Sequence, residues 1–290
     1  MAQLAADIAG GSLAGRHRKN RLMSWFLTAL MAGVVGILVW VLAYVALKGY
    51  SALNWTFLTD TPPGNPSDPG GGFANGIVGS LIIVGIATVI AVPVGIGAAI
   101  YLSEYGGDRF AGLVRFLTDV TLGIPTIVVG AFVYAVWVLN FGFSGYAGGL
   151  AMAVVMVPLI VRASEEMLRL VPNDLREASL AMGVTRARTT LSVVLPAATS
   201  GLITGVMLAV ARAMGETAPL LLTTLGNDLF MEHDPGNRMS TLSLQIFGSA
   251  TAGFPDALAR AWAGALTLVA MVLILYVAAR LIGRRNTAKA

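Results

Sequence analysis

The sequence predicts an all-α membrane protein of six transmembrane helices with both termini in the cytoplasm. Three observations predict it. Only 12% of the 290 residues are charged and 56% are hydrophobic, with a mean hydropathy of +0.77, whereas soluble domains carry about a quarter charged residues. Long uncharged apolar runs recur, and a helix crosses the hydrocarbon core in ~20 residues. Finally, 15 of the 19 lysines and arginines fall in the segments read as cytoplasmic, the asymmetry that orients membrane helices. The net charge of +4 and pI near 9.6 therefore encode topology, and no nucleic-acid partner is expected.

The elements follow in order. Residues 1–21 form a polar cytoplasmic segment ending in Arg16-His17-Arg18-Lys19-Asn20-Arg21. The uncharged run Leu22–Leu47 is longer than the apolar region of a signal peptide, so it is read as an uncleaved first span. Residues 48–75 make an outer loop rich in Pro, Gly and Asn, with Trp40, Tyr44, Tyr50 and Trp55 near the interface that favours amphipathic rings. Gly76–Leu102 is the second span; Pro93 and its glycines are tolerated where neighbouring helices pack closely. Glu104–Arg115 reads as a short charged cytoplasmic loop. Between Asp119 and Arg162 there is no charge, and the stretch is too long for one helix. A turn at residues 140–145 divides it into a third span near 120–139, interrupted by Gly123-Ile124-Pro125-Thr126, and a fourth near 146–162, interrupted by Pro158. Residues 163–196 form a charged cytoplasmic loop. Ala197–Leu225 is the fifth span and Ala261–Ala279 the sixth, followed by Arg280, Arg284 and Arg285. Between them lies an outer loop, whose acids Asp228, Glu232 and Asp234 suit a solvated or protein-binding surface better than a metal site. The membrane domain thus covers 22–285, with a tail at 286–290 and neither a clear internal repeat nor a separate soluble domain.

Several chemistries are excluded. With no cysteine there is no disulfide, thiol catalysis or cysteine metal site. His17 and His233 lie far apart and make no ligand pair, and no His, Ser and Asp stand at a recognisable catalytic spacing. The lysines are Lys19, Lys48 and Lys289, and no P-loop pattern surrounds them. The chain is not expected to be an enzyme or to hold a cofactor; if ATP drives it, another subunit binds the ATP.

Within the cytoplasmic loop, Leu175–Pro196 is a charged island between apolar regions. Asp174 and Glu177 have capping-box spacing, Gly183 suits a helix stop, and Thr185 can cap a second helix that Pro196 interrupts. Leu175, Ala178, Ala181 and Met182 share one face, and Arg176, Arg186 and Arg188 make the other charged. Such a knob suits a groove on another protein. Glu177-Ala178-Ser179, then Gly183, then Val193-x-Leu195-Pro196 resembles the EAA loop of ABC-importer permeases throughout its spacing, with Ser179 for Ala and Val193 for Ile as departures. That resemblance implies a MetI-like importer fold, and a coupling helix in which Glu177, Ala178, Gly183, Leu195 and Pro196 dock an ATPase subunit.

Arg212 and Glu216 lie within the apolar fifth span. A central arginine costs about 2.5–3.5 kcal/mol on insertion scales, so such residues face a bundle interior or a wet cavity. At i, i+4 the two can pair, which allows either an ion pair holding helices together or a guanidinium offered to an oxyanion. Ala211-Arg212-Ala213-Met214-Gly215-Glu216-Thr217-Ala218-Pro219-Leu220, with Leu122-Gly123-Ile124-Pro125-Thr126 and Asp119, resembles Pst-type phosphate permeases in their A-subunit form. The resemblance covers nearly the whole chain. It implies phosphate import across the bacterial cytoplasmic membrane, with Arg212, Glu216 and Thr217 on the pathway. It also implies a second homologous permease, an ATPase dimer holding ATP and Mg, and an extracytoplasmic phosphate-binding protein as partners. Import of molybdate, sulfate or phosphonate, or secondary anion transport without an ATPase, are the alternative readings.

Overall fold

The computed structural model describes residues 13–287, with side chains described for residues 15–281. Every regular element among the described residues is helical. The chain divides into two compact units, residues 1–48 and 49–290.

The described residues of the first unit lie in one helix, α1 (Leu13–Gly49), whose apolar side chains from Leu22 to Leu47 are largely exposed. The basic run Arg16–Arg21 belongs to its opening turns. The expected polar segment 1–21 therefore joins the helix from residue 13 on, and its first twelve residues lie outside the described part.

The second unit begins with the single-turn α2 (Trp55–Thr59), capped by Asn54, whose Oδ1 accepts from the Phe57 backbone N–H at 2.8 Å. Next come α3 (Ala74–Ile100), α4 (Arg109–Gly123), α5 (Thr126–Val133) and α6 (Gly145–Arg169). They are followed by α7 (Asn173–Ala181), α8 (Arg186–Thr189), α9 (Leu195–Gly215), α10 (Ala218–Thr223), α11 (Leu242–Thr251) and α12 (Pro255–Thr287). Three π turns extend them: Tyr101–Tyr105 after α3, Tyr134–Val138 after α5, and Thr190–Val194 joining α8 to α9.

The core is built on small residues. Ile83, Ala87 and Ala91 of α3, Met152 and Met156 of α6, and Ala209 and Ala213 of α9 form one buried cluster. A methyl group on Gly95 would stand 2.6 Å from Ile160 Cγ2, and one on Gly149 2.6 Å from Ile86 Cγ2. These glycines let α3 and α6 approach closely, as membrane helices require in the absence of a hydrophobic drive between them.

Among the described residues five helices are long and apolar enough to cross a membrane, and a sixth crossing comes if α4 and the helical stretch 126–141, bent by 101° from it, count as one. The expected third span is corrected here. Residues 109–123 form a separate helix, which takes in part of the expected loop 104–115 and carries Arg109, Arg115 and Asp119. The break falls at Ile124-Pro125, where Ile124 is extended at φ −72°, ψ 130°, because a following proline drives its predecessor out of the helical region. Asp108 caps α4 by accepting from the Ala111 backbone N–H at 2.9 Å. Buried Glu165 of α6 ties α4 down, accepting from Arg115 Nε at 2.7 Å and from Arg169 Nη2 at 2.6 Å.

Three further expectations change. Pro158 lies inside an unbroken α6. Pro196 does not end a helix either: it stands at the start of α9, just after the π turn of residues 190–194. A π turn shifts the backbone pairing, so a residue without an N–H fits where α pairing resumes. The fifth span is broken after Gly215, and the outer loop of residues 226–259 contains α11 and the start of α12.

Candidate functional site

The membrane site grows out of the break between α9 and α10. Glu216 caps the end of α9 in an extended conformation (φ −75°, ψ 132°), and its backbone N–H donates to the Ala213 carbonyl at 3.2 Å. Arg212 and Glu216 are therefore not neighbours on one continuous helical face, as the i, i+4 spacing suggests. Arg212 sits in the last turn, where a cation meets the negative end of the helix dipole. Glu216 lies beyond that end and folds back. Arg212 Nε donates to Glu216 Oε1 at 3.3 Å.

Two further elements converge on Glu216. Thr126, at the start of α5, donates from Oγ1 to Glu216 Oε2 at 3.1 Å. Ser243 of α11 donates from Oγ to the Glu216 carbonyl oxygen at 2.8 Å. Glu216 is thus held by three elements, with its side chain 18% exposed, while that of Arg212 remains 50% exposed. The guanidinium makes no other hydrogen bond among the described residues, so its two amino groups are available. A cavity of about 20 Å³, room for a single water, opens between Arg212, Thr121, Thr126 and Pro158. Thr217 opens α10 with its backbone: its carbonyl accepts from the N–H groups of Leu220 and Leu221 at 3.1 and 3.2 Å.

A half-exposed guanidinium steadied by one carboxylate can take an oxyanion on its free N–H donors. The nearby carboxylate limits the net positive charge. Thr126 and Ser243 are absent from the sequence-derived site. Thr126 stands in the Leu122–Thr126 motif, which carried a signal without a role. Ser243 falls in what reads as an outer loop, and nothing in its neighbourhood marks it.

The island at 175–196 folds as helix, glycine turn, helix. Gly183 takes φ +80°, and its N–H donates to the Leu180 carbonyl at 2.9 Å. The capping box does not form. α7 starts at Asn173 with Pro172 in the capping position and no side-chain cap, which leaves Asp174 in the first turn and Glu177 exposed. The proline presets the backbone for helix entry. Thr185 is the capping residue of α8 through its backbone, with no side-chain bond. Ala178 and Gly183 are exposed with Glu177, while Leu195 and Pro196 lie half-buried at the base of α9. Leu175, Ala178, Ala181 and Met182 form an exposed apolar face. Ser179, the departure from the resembled pattern, lies within 2.9 Å of the Thr189 hydroxyl and joins α7 to α8.

On the opposite flank, Asp228 is built into a polar network. It accepts from Ser240 Oγ at 2.7 Å and Gln245 Nε2 at 3.0 Å, and Gln245 also donates to Asn75 Oδ1 at 2.8 Å. Glu232 accepts from the backbone N–H groups of His233 and Asp234, both at 2.9 Å. These acids hold their own loop.

Comparison with known proteins places the chain in a family. The family described as binding-protein-dependent transport system inner membrane component matches residues 91–288. The phosphate transport system permease protein PstA of Yersinia pestis is 42% identical over 272 residues, covering 93% of this chain and 91% of that protein. PstA of Haemophilus influenzae is 40% identical over 270 residues, covering 92% and 94%. Among solved structures, a bacterial alginate ABC transporter complex matches 96% of this chain and 99% of its own with a TM-score of 0.65 at 13% identity. An inward-facing MetNI methionine ABC transporter matches 75% and 95% with a TM-score of 0.55 at 20% identity. These two share the fold. The chain belongs to the family of binding-protein-dependent transport system inner membrane components, and within it to the PstA group of phosphate transport system permeases.

Proposed function

We propose that this chain is the permease subunit of an ATP-driven importer that carries inorganic phosphate across the bacterial inner membrane. The observation that carries the reading is the Arg212–Glu216–Thr126 cluster at a helix break inside the apolar region, with two guanidinium amino groups unengaged among the described residues. The names of the relatives at about 40% identity support phosphate as the oxyanion.

The working complex contains a second homologous permease, two ATPase subunits that bind ATP and Mg, and an extracytoplasmic phosphate-binding protein. The termini and the 175–196 loop face the cytoplasm, a reading that the charge asymmetry supports. The loaded binding protein docks on the outer side. ATP closes the ATPase subunits and draws the coupling loops together, with Glu177, Ala178 and Gly183 at the docking surface. The exposed apolar face of α7 fills the ATPase groove, and Leu195 and Pro196 join the loop to α9. The pathway opens outward and phosphate enters. Arg212 offers it a charged station. Glu216, held by Thr126 and Ser243, keeps Arg212 aimed and its grip weak enough for release, since conduction needs binding that is favourable yet easily left. Thr217 shapes the break through its backbone. Hydrolysis restores the inward-facing state.

Proteoliposomes holding the full complex and its binding protein test this with radiolabelled phosphate, sulfate and molybdate. ATP-dependent accumulation of phosphate alone is expected. Accumulation of another oxyanion moves the substrate, and ATP-independent uptake contradicts the importer reading.

A further inference from the structure

The π turn that ends α3 carries two adjacent residues that grip both halves of the 175–196 loop. Glu104 is 5% exposed. Its carboxylate Oε1 accepts from Arg176 of α7 on both Nη2, at 2.9 Å, and Nε, at 3.2 Å. The remaining donors of Arg176 reach the carbonyl oxygens of Leu168, at 2.8 Å, and Val171, at the end of α6. The next residue, Tyr105, lies under the guanidinium of Arg186, the first residue of α8, at 5.1 Å from the ring centroid. One helix end thus holds the helix before the Gly183 turn by an ion pair and the helix after it by a cation–π contact. A π turn places one more residue in the turn than an α-helix does and re-aims the side chains beyond it, and such turns concentrate at functional positions. Here it directs Glu104 inward and leaves Tyr105 half-exposed toward α8. From this end α3 runs back along α6, through the close contacts at Gly95 and Gly149, to Asn75 and its bond with Gln245.

We propose that Glu104 and Tyr105 form a two-point clasp that transmits movement of the 175–196 loop to α3, which makes them positioning residues for transport. The proposal rests on the reading of that loop as the ATPase-docking element. An ion pair that only stabilises the fold would alter how much complex assembles, not how much substrate moves per ATP. A clasp sets the second quantity.

The test uses the whole complex in proteoliposomes. Because the chain has no cysteine, nitroxide labels can be placed at L191C beside α8 and V94C on α3, both exposed positions. With the clasp intact, the distance between the labels is expected to stay constant between the nucleotide-free and ATP-bound states. In the double variant Glu104→Gln, Tyr105→Leu it is expected to change with ATP. Phosphate imported per ATP hydrolysed is expected to fall at least fivefold, with the ATPase still co-purifying in native amount. Tyr105→Phe keeps the ring and is expected to import as the native chain does. Should the double variant fail to assemble, Tyr105→Leu alone touches only the half-exposed contact, and an at least twofold fall in phosphate per ATP is expected. Native phosphate per ATP in assembled variants, or an ATP-independent label distance in the double variant, overturns the clasp. A native complex that hydrolyses ATP without importing phosphate contradicts the proposed substrate instead, and the label distances then judge the clasp on their own.

Discussion

At Arg212 the guanidinium donates through Nε to Glu216, and its amino groups make no hydrogen bond among the described residues. Lysine preserves the charge but not the planar fork. Arg212→Lys is therefore expected to import phosphate at less than about a tenth of the native rate, and Arg212→Ala not at all, with the complex assembled in both; uptake and co-purification check this. Loss of assembly would make the residue a fold-holding ion pair. Thr126→Val removes the donor to Glu216 Oε2 and is expected to lower uptake several-fold, while Thr126→Ser retains it. Arg212 and Glu216 were legible because a charge within an apolar span is costly and stands out. Thr126 and Ser243 were not, since a hydroxyl in an apolar span or an outer loop draws little notice and these two reach Glu216 from 90 and 27 residues away.

The helices were legible where a single apolar run makes a single helix, as in α1 and α3. They were not where a span is assembled from pieces. Charge alone made residues 104–115 read as a loop, although the same charges suit the polar face of α4. The break after Gly215 left no proline at the break itself to announce it, Pro219 lying inside α10. The Gly183 turn was legible because the sequence supplied the residue that a left-handed position favours. A methyl group there would meet nothing within 4 Å, so Gly183→Ala is expected to cost about 1–2 kcal/mol through the backbone alone. The expected readout is weaker retention of the ATPase, with Gly183→Asn less affected. At the start of α4, Asp108 is held below the ordinary aspartate range, mainly by the Ala111 N–H it caps. A lowered value makes the cap complete above the ordinary, unfolded range, and the cap is lost as pH falls through the lowered one. Protection of the first turn of α4 from hydrogen exchange, once corrected for the intrinsic rate, is therefore expected to be flat across neutral pH and to drop only in acid, and not to drop there in Asp108→Asn.

For the whole molecule, the division of charge predicts the orientation. Single cysteines are informative because the native chain has none. Phe230→Cys, exposed in the outer loop, is expected to react with an impermeant maleimide from outside, and Met182→Cys only from inside; the reverse pattern would invert the topology. One helix, α3, closely packed on α6 at Gly95 and Gly149, connects the network around Asn75 with Glu104 at its other end. The fold class and the two motif regions were written in composition and spacing. The clasp was not, because Glu104 and Arg176 are 72 residues apart and each reads alone as an ordinary loop charge.

The most direct test of phosphate import through Arg212 is ATP hydrolysis by the reconstituted complex, measured with binding protein loaded with phosphate, sulfate or molybdate and with Arg212→Ala alongside. Stimulation by phosphate-loaded binding protein only, lost in Arg212→Ala, is the predicted result. Stimulation by another oxyanion, or phosphate stimulation that survives in the variant, would contradict it.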